Sequence, residues 1–170
     1  MSIKFWRQRR LLYFIIAALV ISGAVFYFLQ SSFQDSPVLE IRGTVSNEIY
    51  GRWPIEKGEE FAIEFIHSVN QSPVRETFVI EENMIRLHSL RFYSFGAGIP
   101  DRLEEGWEMS RDGEPGQPGA AFVITGFDTS FRELNFIVGT VSDHLLLLGD
   151  ETISLRDLCG RNAHITIRVR

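Results

Sequence analysis

Two residues in the stretch FIHSVNQSPVRETF, residues 65–78, carry side chains that could do chemistry: the imidazole of His67 and the carboxylate of Glu76. Both sit in strand-like sequence, where FAIEFIHSV (61–69) alternates apolar and polar residues and VRETFVIEE (74–82) follows. With Gln71 and Ser72 at the centre of a turn, cross-strand partners have numbers summing to 143. That register pairs Val69 with Val74, His67 with Glu76, Phe65 with Phe78 and Ile63 with Ile80. Because side chains alternate with period two, all of these lie on one face. Ala62, Glu64, Ser68, Arg75, Thr77 and Glu81 fall on the other, largely polar face. A buried carboxylate without a partner is costly. The pair therefore has three readings: a satisfied structural His–Glu pair, a ligand-binding pair, or part of a metal site with His88 as a further ligand.

The second stretch with chemical potential is FGAGIP, residues 95–100. Its glycines allow positive φ and could present backbone N–H groups to an anion. A phosphate loop, however, runs from a strand through glycines into a helix, and here Pro100 follows instead. The plainer reading is a bent strand end where two backbones approach closely. Together the two stretches define the candidate ligand-binding residues His67, Ser68, Glu76, Gly96 and Gly98, with His67, Glu76 and His88 as candidate metal ligands.

No catalytic residue is expected, and the chain does not read as an enzyme. G-x-S-x-G is absent, and Ser68 points away from His67 across the strand. Cys159 and His164 are separated by residues that read as a turn, and a cysteine in that setting is more often a small core residue than a nucleophile. No motif calls for a cofactor.

The elements that must hold these residues are strands. VLEIRGTVS (38–46), FAIEFIHSV (61–69), VRETFVIEE (74–82), IRLHSLRFYSF (85–95), AAFVITGF (120–127), FRELNFIVG (131–139), HLLLLGDETISL (144–155) and AHITIRV (163–169) are short and rich in β-branched and aromatic residues. They predict an all-β sandwich or partly open barrel of roughly six to nine antiparallel strands. Gly149-Asp150 reads as a two-residue hairpin turn and RDLCG (156–160) as a single helical turn. Residues 95–120, with their many glycines and three prolines, read as the longest non-strand segment and a functional loop.

Ahead of the β domain, residues 11–29 (LLYFIIAALVISGAVFYFL) carry no charge and no proline. As a helix they would span about 28 Å, close to the thickness of a bilayer core. Lys4, Arg7, Arg9 and Arg10 precede this run, and aromatic residues flank it. The expectation is a single N-terminal transmembrane helix with a cytoplasmic N-terminus and an extracytoplasmic C-terminal domain at the cytoplasmic membrane. A cleaved signal peptide would have a shorter apolar core and a small-residue cleavage site, which the run Phe26-Tyr27-Phe28-Leu29 does not offer. The expected organisation is a basic cytoplasmic segment (1–10), the anchor (11–29), a polar linker (30–37) and the β domain (38–170).

Beyond the anchor the chain has 13 basic and 22 acidic residues, a net charge of −9, which disfavours binding to nucleic acid. The single Cys159 cannot form an intrachain disulfide, so an exported domain of this sequence must hold by its core alone.

The order anchor, F-x-H-S-V (Phe65, His67, Ser68, Val69), P-V-x-E-x-F (Pro73, Val74, Glu76, Phe78) and S-F-G-A-G-I-P (Ser94–Pro100) resembles the bacterial domain-of-unknown-function family 1850. DHLLLLGDETISLRDLCG and HITIRV share that appearance, so the resemblance covers about residues 38–170. It implies a small exported protein found alongside TRAP transporters of the TAXI subclass, which use an extracytoplasmic solute-binding protein, and it implies no reaction. Two functional expectations follow. The first is an accessory or interaction protein of such a transporter, with the permease or its solute-binding protein as partner. The second is a small-ligand or metal-binding module built on His67, Glu76 and the Gly96–Pro100 loop. They differ in whether His67 and Glu76 line a concave pocket or lie sealed under neighbouring strands.

Overall fold

A computed structural model describes residues 21–23, 37–96, 98–113 and 120–170. Residues 21–23 are helical. The rest of the predicted anchor and linker, Ala97, and residues 114–119 of the glycine- and proline-rich segment lie outside the described residues. Among the described residues no helix is long and apolar enough to cross a membrane. Residues 37–170 form a compact unit of their own.

That unit is all-β, with twelve strands and one short helix among its described residues. The strands are β1 (Val38–Gly43), β2 (Ile49–Pro54), β3 (Glu60–Ile66), β4 (Pro73–Glu81), β5 (Met84–Phe92) and β6 (Glu108–Asp112), then β7 (Ala121–Thr125), β8 (Ser130–Phe131), β9 (Glu133–Ile137), β10 (His144–Leu148), β11 (Glu151–Ser154) and β12 (His164–Val169). A four-stranded antiparallel sheet has the order β2-β1-β12-β9. The larger sheet runs β11-β10-β3-β4-β5-β7-β6, with β8 also pairing with β5. The two sheets share one core, in which Leu39, Ile41, Ile165 and Ile167 of the smaller pack with Phe61, Phe78, Ile80, Ile85 and Leu146 of the larger. Each of these side chains, taken from water to full burial, contributes about 1.5–3 kcal/mol. The sandwich is therefore observed, and the sheets do not close into a barrel.

The strand count exceeds the predicted six to nine for three local reasons. Residues 131–139 are not one strand: β8 pairs with β5 in the larger sheet and β9 with β12 in the smaller, so the chain changes sheets at Arg132. The segment IYGRWP forms β2 although Gly51 and Pro54 look like turn residues. Gly51 makes room for the Trp53 ring, which a Cβ there would meet at 2.2 Å, and Pro54 is tolerated because β2 is an edge strand. EMSRD (β6) lies inside the segment read as loop. It is exposed throughout, three of its five residues are charged, and it has no apolar alternation to announce it, as suits an edge strand.

The hairpin turn at Gly149-Asp150 is observed, with Leu148 opposite Glu151. The expected single turn near 156–160 is the helix α1 (Leu155–Cys159), capped by Ser154, whose hydroxyl accepts from the Asp157 N–H.

Part of the larger sheet has a second core, formed by Val74, Leu90, Phe92, Ile124 and Phe127. Ile99 and Trp107, from the segment between β5 and β6, pack against it. The glycine- and proline-rich segment thus begins as a cover over the sheet. Gly126, at φ +85°, holds it close: a Cβ there would stand 2.2 Å from the Gly106 carbonyl oxygen.

Candidate functional site

The β3–β4 register sums to 139, not 143: Phe65 faces Val74, Ile63 faces Glu76 and Phe61 faces Phe78. The predicted opposition of His67 and Glu76 is therefore incorrect, although both sums are odd and the residues within the ladder keep their predicted faces. The ladder ends at Ile66–Pro73, and residues 67–72 form a longer connection. His67 organises that connection. Its Nδ1 accepts from the N–H groups of Val69 (3.2 Å) and Asn70 (3.3 Å). Its own N–H donates to the Ser72 carbonyl, and its carbonyl accepts from the Gln71 N–H, each at 2.9 Å. An imidazole that caps two turn amides removes the need for a tighter turn, and Gln71 takes a positive φ of 50° to close the loop.

Glu76 is thereby left in the middle of β4, flanked by Ile63 on β3 and Leu90 on β5. No ion pair or hydrogen bond reaches its carboxylate among the described residues, and burial pushes its pKa above the usual glutamate range. His144, at the start of β10, stands directly opposite Phe65 and therefore on the same face. From strand spacing and rise, the Cα atoms of Glu76 and His144 are on the order of 12 Å apart, a separation that one small molecule can bridge. The His144 Nδ1 accepts from the Gly139 N–H at 3.0 Å, so the neutral ring carries its proton on Nε2. Burial lowers the His144 pKa; the charge of Arg156 adds to this, and that of Asp143 opposes it. Phe65 and Phe136 pack on the ring with centroids 5.2 and 5.4 Å away.

Two adjoining cavities, of about 310 and 300 Å³, share Phe65, Glu76 and His144 as lining residues. The first extends between the sheets to Phe78, Phe131 and Phe136. The second extends to the hairpin turn and the glycine loop, where His67, Ser68, Gly98 and Ile99 line it. Their size is at the small end for ligand pockets. A larger groove of 630 Å³ lies elsewhere, beside Trp53, but its carboxylates Glu59, Glu60, Asp150 and Glu151 are all exposed and solvated. The desolvated chemistry is at Glu76.

Of the sequence-selected residues, His67, Ser68, Glu76 and Gly98 meet at the second cavity. Gly96 does not line it. Instead, a Cβ on Gly96 would stand 2.6 Å from the Asn70 Nδ2, so this glycine lets the loop approach the hairpin turn. Ser68 lines the cavity although period two would turn it away, because the strand ends at Ile66. His88 lines neither cavity and approaches Glu60 at 3.6 Å. No group of three or more His, Cys, Asp or Glu side chains suited to a metal ion occurs among the described residues. Sequence reasoning missed His144, although its alternation with buried Leu146 is the signal that singled out His67.

A family model for a domain of unknown function, DUF1850, matches residues 61–155, which contain the hairpin, the glycine loop and His144. The chain belongs to the DUF1850 family. No curated protein and no solved structure was found to match it. The DUF1850 match runs from β3 to the start of α1, so it takes in the whole larger sheet and leaves β1, β2 and β12 of the smaller sheet outside.

Proposed function

We propose that this DUF1850 domain is a small-ligand-binding module, held on the outer side of the cytoplasmic membrane by residues 11–29 and serving as an accessory protein of a TAXI-type TRAP transporter. The observation that carries the ligand-binding part is the pair of adjoining cavities that meet at Glu76: His67 and Glu76 line a concave site and are not sealed under strands. A cavity wall of apolar side chains with a few polar groups converging on it is the usual make-up of a small-molecule site. No residue is assigned a catalytic role.

The membrane and transporter parts rest on the apolar, basic-flanked N-terminal run and on family resemblance. The permease and the solute-binding protein are the proposed partners.

The ligand-binding part is tested by thermal shift of the full-length protein against a panel of cationic, anionic and neutral small metabolites. Ile99→Trp, at the rim of the second cavity, serves as the blocked control. Stabilisation by a panel member that the variant loses supports the reading; no difference between the two proteins across the panel overturns it. For the membrane part, a C-terminal alkaline phosphatase fusion should be active and the mature mass should retain residues 11–29. For the transporter part, a permease or solute-binding protein should co-purify from membranes with the tagged chain.

A further inference from the structure

The first cavity at Glu76 has an unusual balance of groups. Its wall includes four phenylalanines, Phe65, Phe78, Phe131 and Phe136, and its charged residues are Glu76 and Glu133. Among the described residues no lysine or arginine lines either cavity. Glu133 is exposed at the mouth, where its carboxylate accepts a hydrogen bond from Asn135 at 3.2 Å, whereas Glu76 lies inside without a partner among the described residues.

An uncompensated carboxylate in apolar surroundings is expensive, and a bound cation is one way to offset it. Phenylalanine faces attract a cation through their quadrupole, so aromatic walls and a carboxylate favour the same charge. An anionic ligand would meet two carboxylates and, among the described residues, no lysine or arginine. A hydrated metal ion gains little from four phenylalanine rings, which offer no ligating atom. The net charge of −9 beyond the predicted anchor also draws cations toward the domain.

We infer that the Glu76 cavity takes a small organic ammonium ion, its charged head against the Glu76 carboxylate and its apolar body among Phe65, Phe78, Phe131 and Phe136. This rests on the ligand-binding reading above and names the ligand class for the same site. His144 lines both cavities, and its Nε2–H can donate to a hydroxyl or carbonyl carried on the ligand.

The test uses the full-length protein and three probes that share one shape: phenethylammonium chloride, phenethyl alcohol and sodium phenylacetate. Isothermal titration should find the ammonium ion bound at least about tenfold more tightly than the alcohol, with phenylacetate weakest. Glu76→Gln keeps the side-chain volume and should abolish the ammonium's advantage over the alcohol. Phe136→Leu should weaken the ammonium about threefold and the alcohol less. Equal or tighter binding of the alcohol or phenylacetate overturns the ammonium assignment. If that binding is lost in Leu134→Trp, which fills the first cavity, the ligand-binding reading survives. Failure of all three probes to bind overturns the assignment as well, and the metabolite panel then decides the broader reading on its own.

Discussion

Asn70 donates from its Nδ2 to the carbonyl oxygen of Phe95 at 2.9 Å and approaches that of Ser94 at 3.3 Å. One amide side chain thus ties the turn after β3 to the glycine loop after β5, the two stretches that carry the candidate site. The contact needs Gly96, because any Cβ there would collide with the same amide. Asn70→Ala should cost about 1 kcal/mol, since the contact is largely exposed. Its main effect should be on the loop. Hydrogen exchange at residues 98–101 should accelerate in the variant while exchange in β3 and β4 stays unchanged; unchanged exchange in the loop would show that the amide does not hold it.

Glu76, at the proposed ligand site, affects stability with a definite sign. Burial raises its pKa in the folded state, so the ionised carboxylate destabilises the fold. Stability attributable to this group is fully present below the ordinary value of 4.5 and is lost as pH rises through the folded value. Glu76→Gln should therefore equal the parent in stability at pH 4 and exceed it at pH 8, in the absence of ligand. His67, His144 and Glu133 are the same in both proteins, so the difference isolates Glu76. Urea midpoints measured across that range check the claim, and a variant less stable at pH 8 would refute it. A residue that costs stability and serves binding is what a stability–activity trade-off predicts.

Glu40 shows the opposite sign. It lies on β1 with Arg52 of β2 and Arg168 of β12 as its direct cross-strand partners. Arg52 bonds its Oε2 through Nε and Nη2 at 2.8 and 2.7 Å, and Arg168 bonds its Oε1 at 3.0 and 2.8 Å. Arg42 and Arg170 stand at 3.8 and 4.0 Å. The carboxylate is 0 % exposed because arginine side chains cover it, while those arginines remain in contact with solvent. Desolvation pushes its pKa up, but the hydrogen bonds and charges of Arg52 and Arg168 outweigh this and hold it below the usual value. Its contribution is present above pH 4.5 and is lost as pH falls through the folded value. Glu40→Gln should destabilise by about 2 kcal/mol at pH 7 and by progressively less as the solution is acidified, as read from urea midpoints.

Cys159, on the short helix, packs against the main core, and burial pushes its thiol up to about 11. A thiol with so little thiolate at neutral pH is a poor nucleophile. Iodoacetamide at pH 8 should label the native protein at least about tenfold more slowly than the urea-unfolded chain. Equal labelling rates would place the thiol in the open.

Much of the architecture was legible because it rests on alternation. The period-two pattern identified β3, β4, β5, β10 and β12, assigned the faces of the hairpin correctly even with the wrong register, and brought out the hairpin turn at Gly149-Asp150. Patterns fail where an element buries little or changes sheet. Exposed β6 has no apolar side to alternate, β2 hides behind Gly51 and Pro54, and the apparent single strand at 131–139 serves two sheets.

For the site, the sequence by itself determined which residue types lie on the inner face of the hairpin: alternation puts a carboxylate at 76 and an imidazole at 67 among apolar neighbours, whatever the turn. Only the tertiary structure decided who meets whom. A register shift that preserves parity leaves every face unchanged and replaces every partner, and the choice was made by His67, whose ring caps the turn amides and ends the ladder at Ile66–Pro73. His144 enters because β10 lies beside β3, a pairing across 79 or more residues that no local pattern specifies. The cavity at Glu76 exists for the same reason: its walls come from strands of both sheets, and only their packing leaves the carboxylate with open space in front of it.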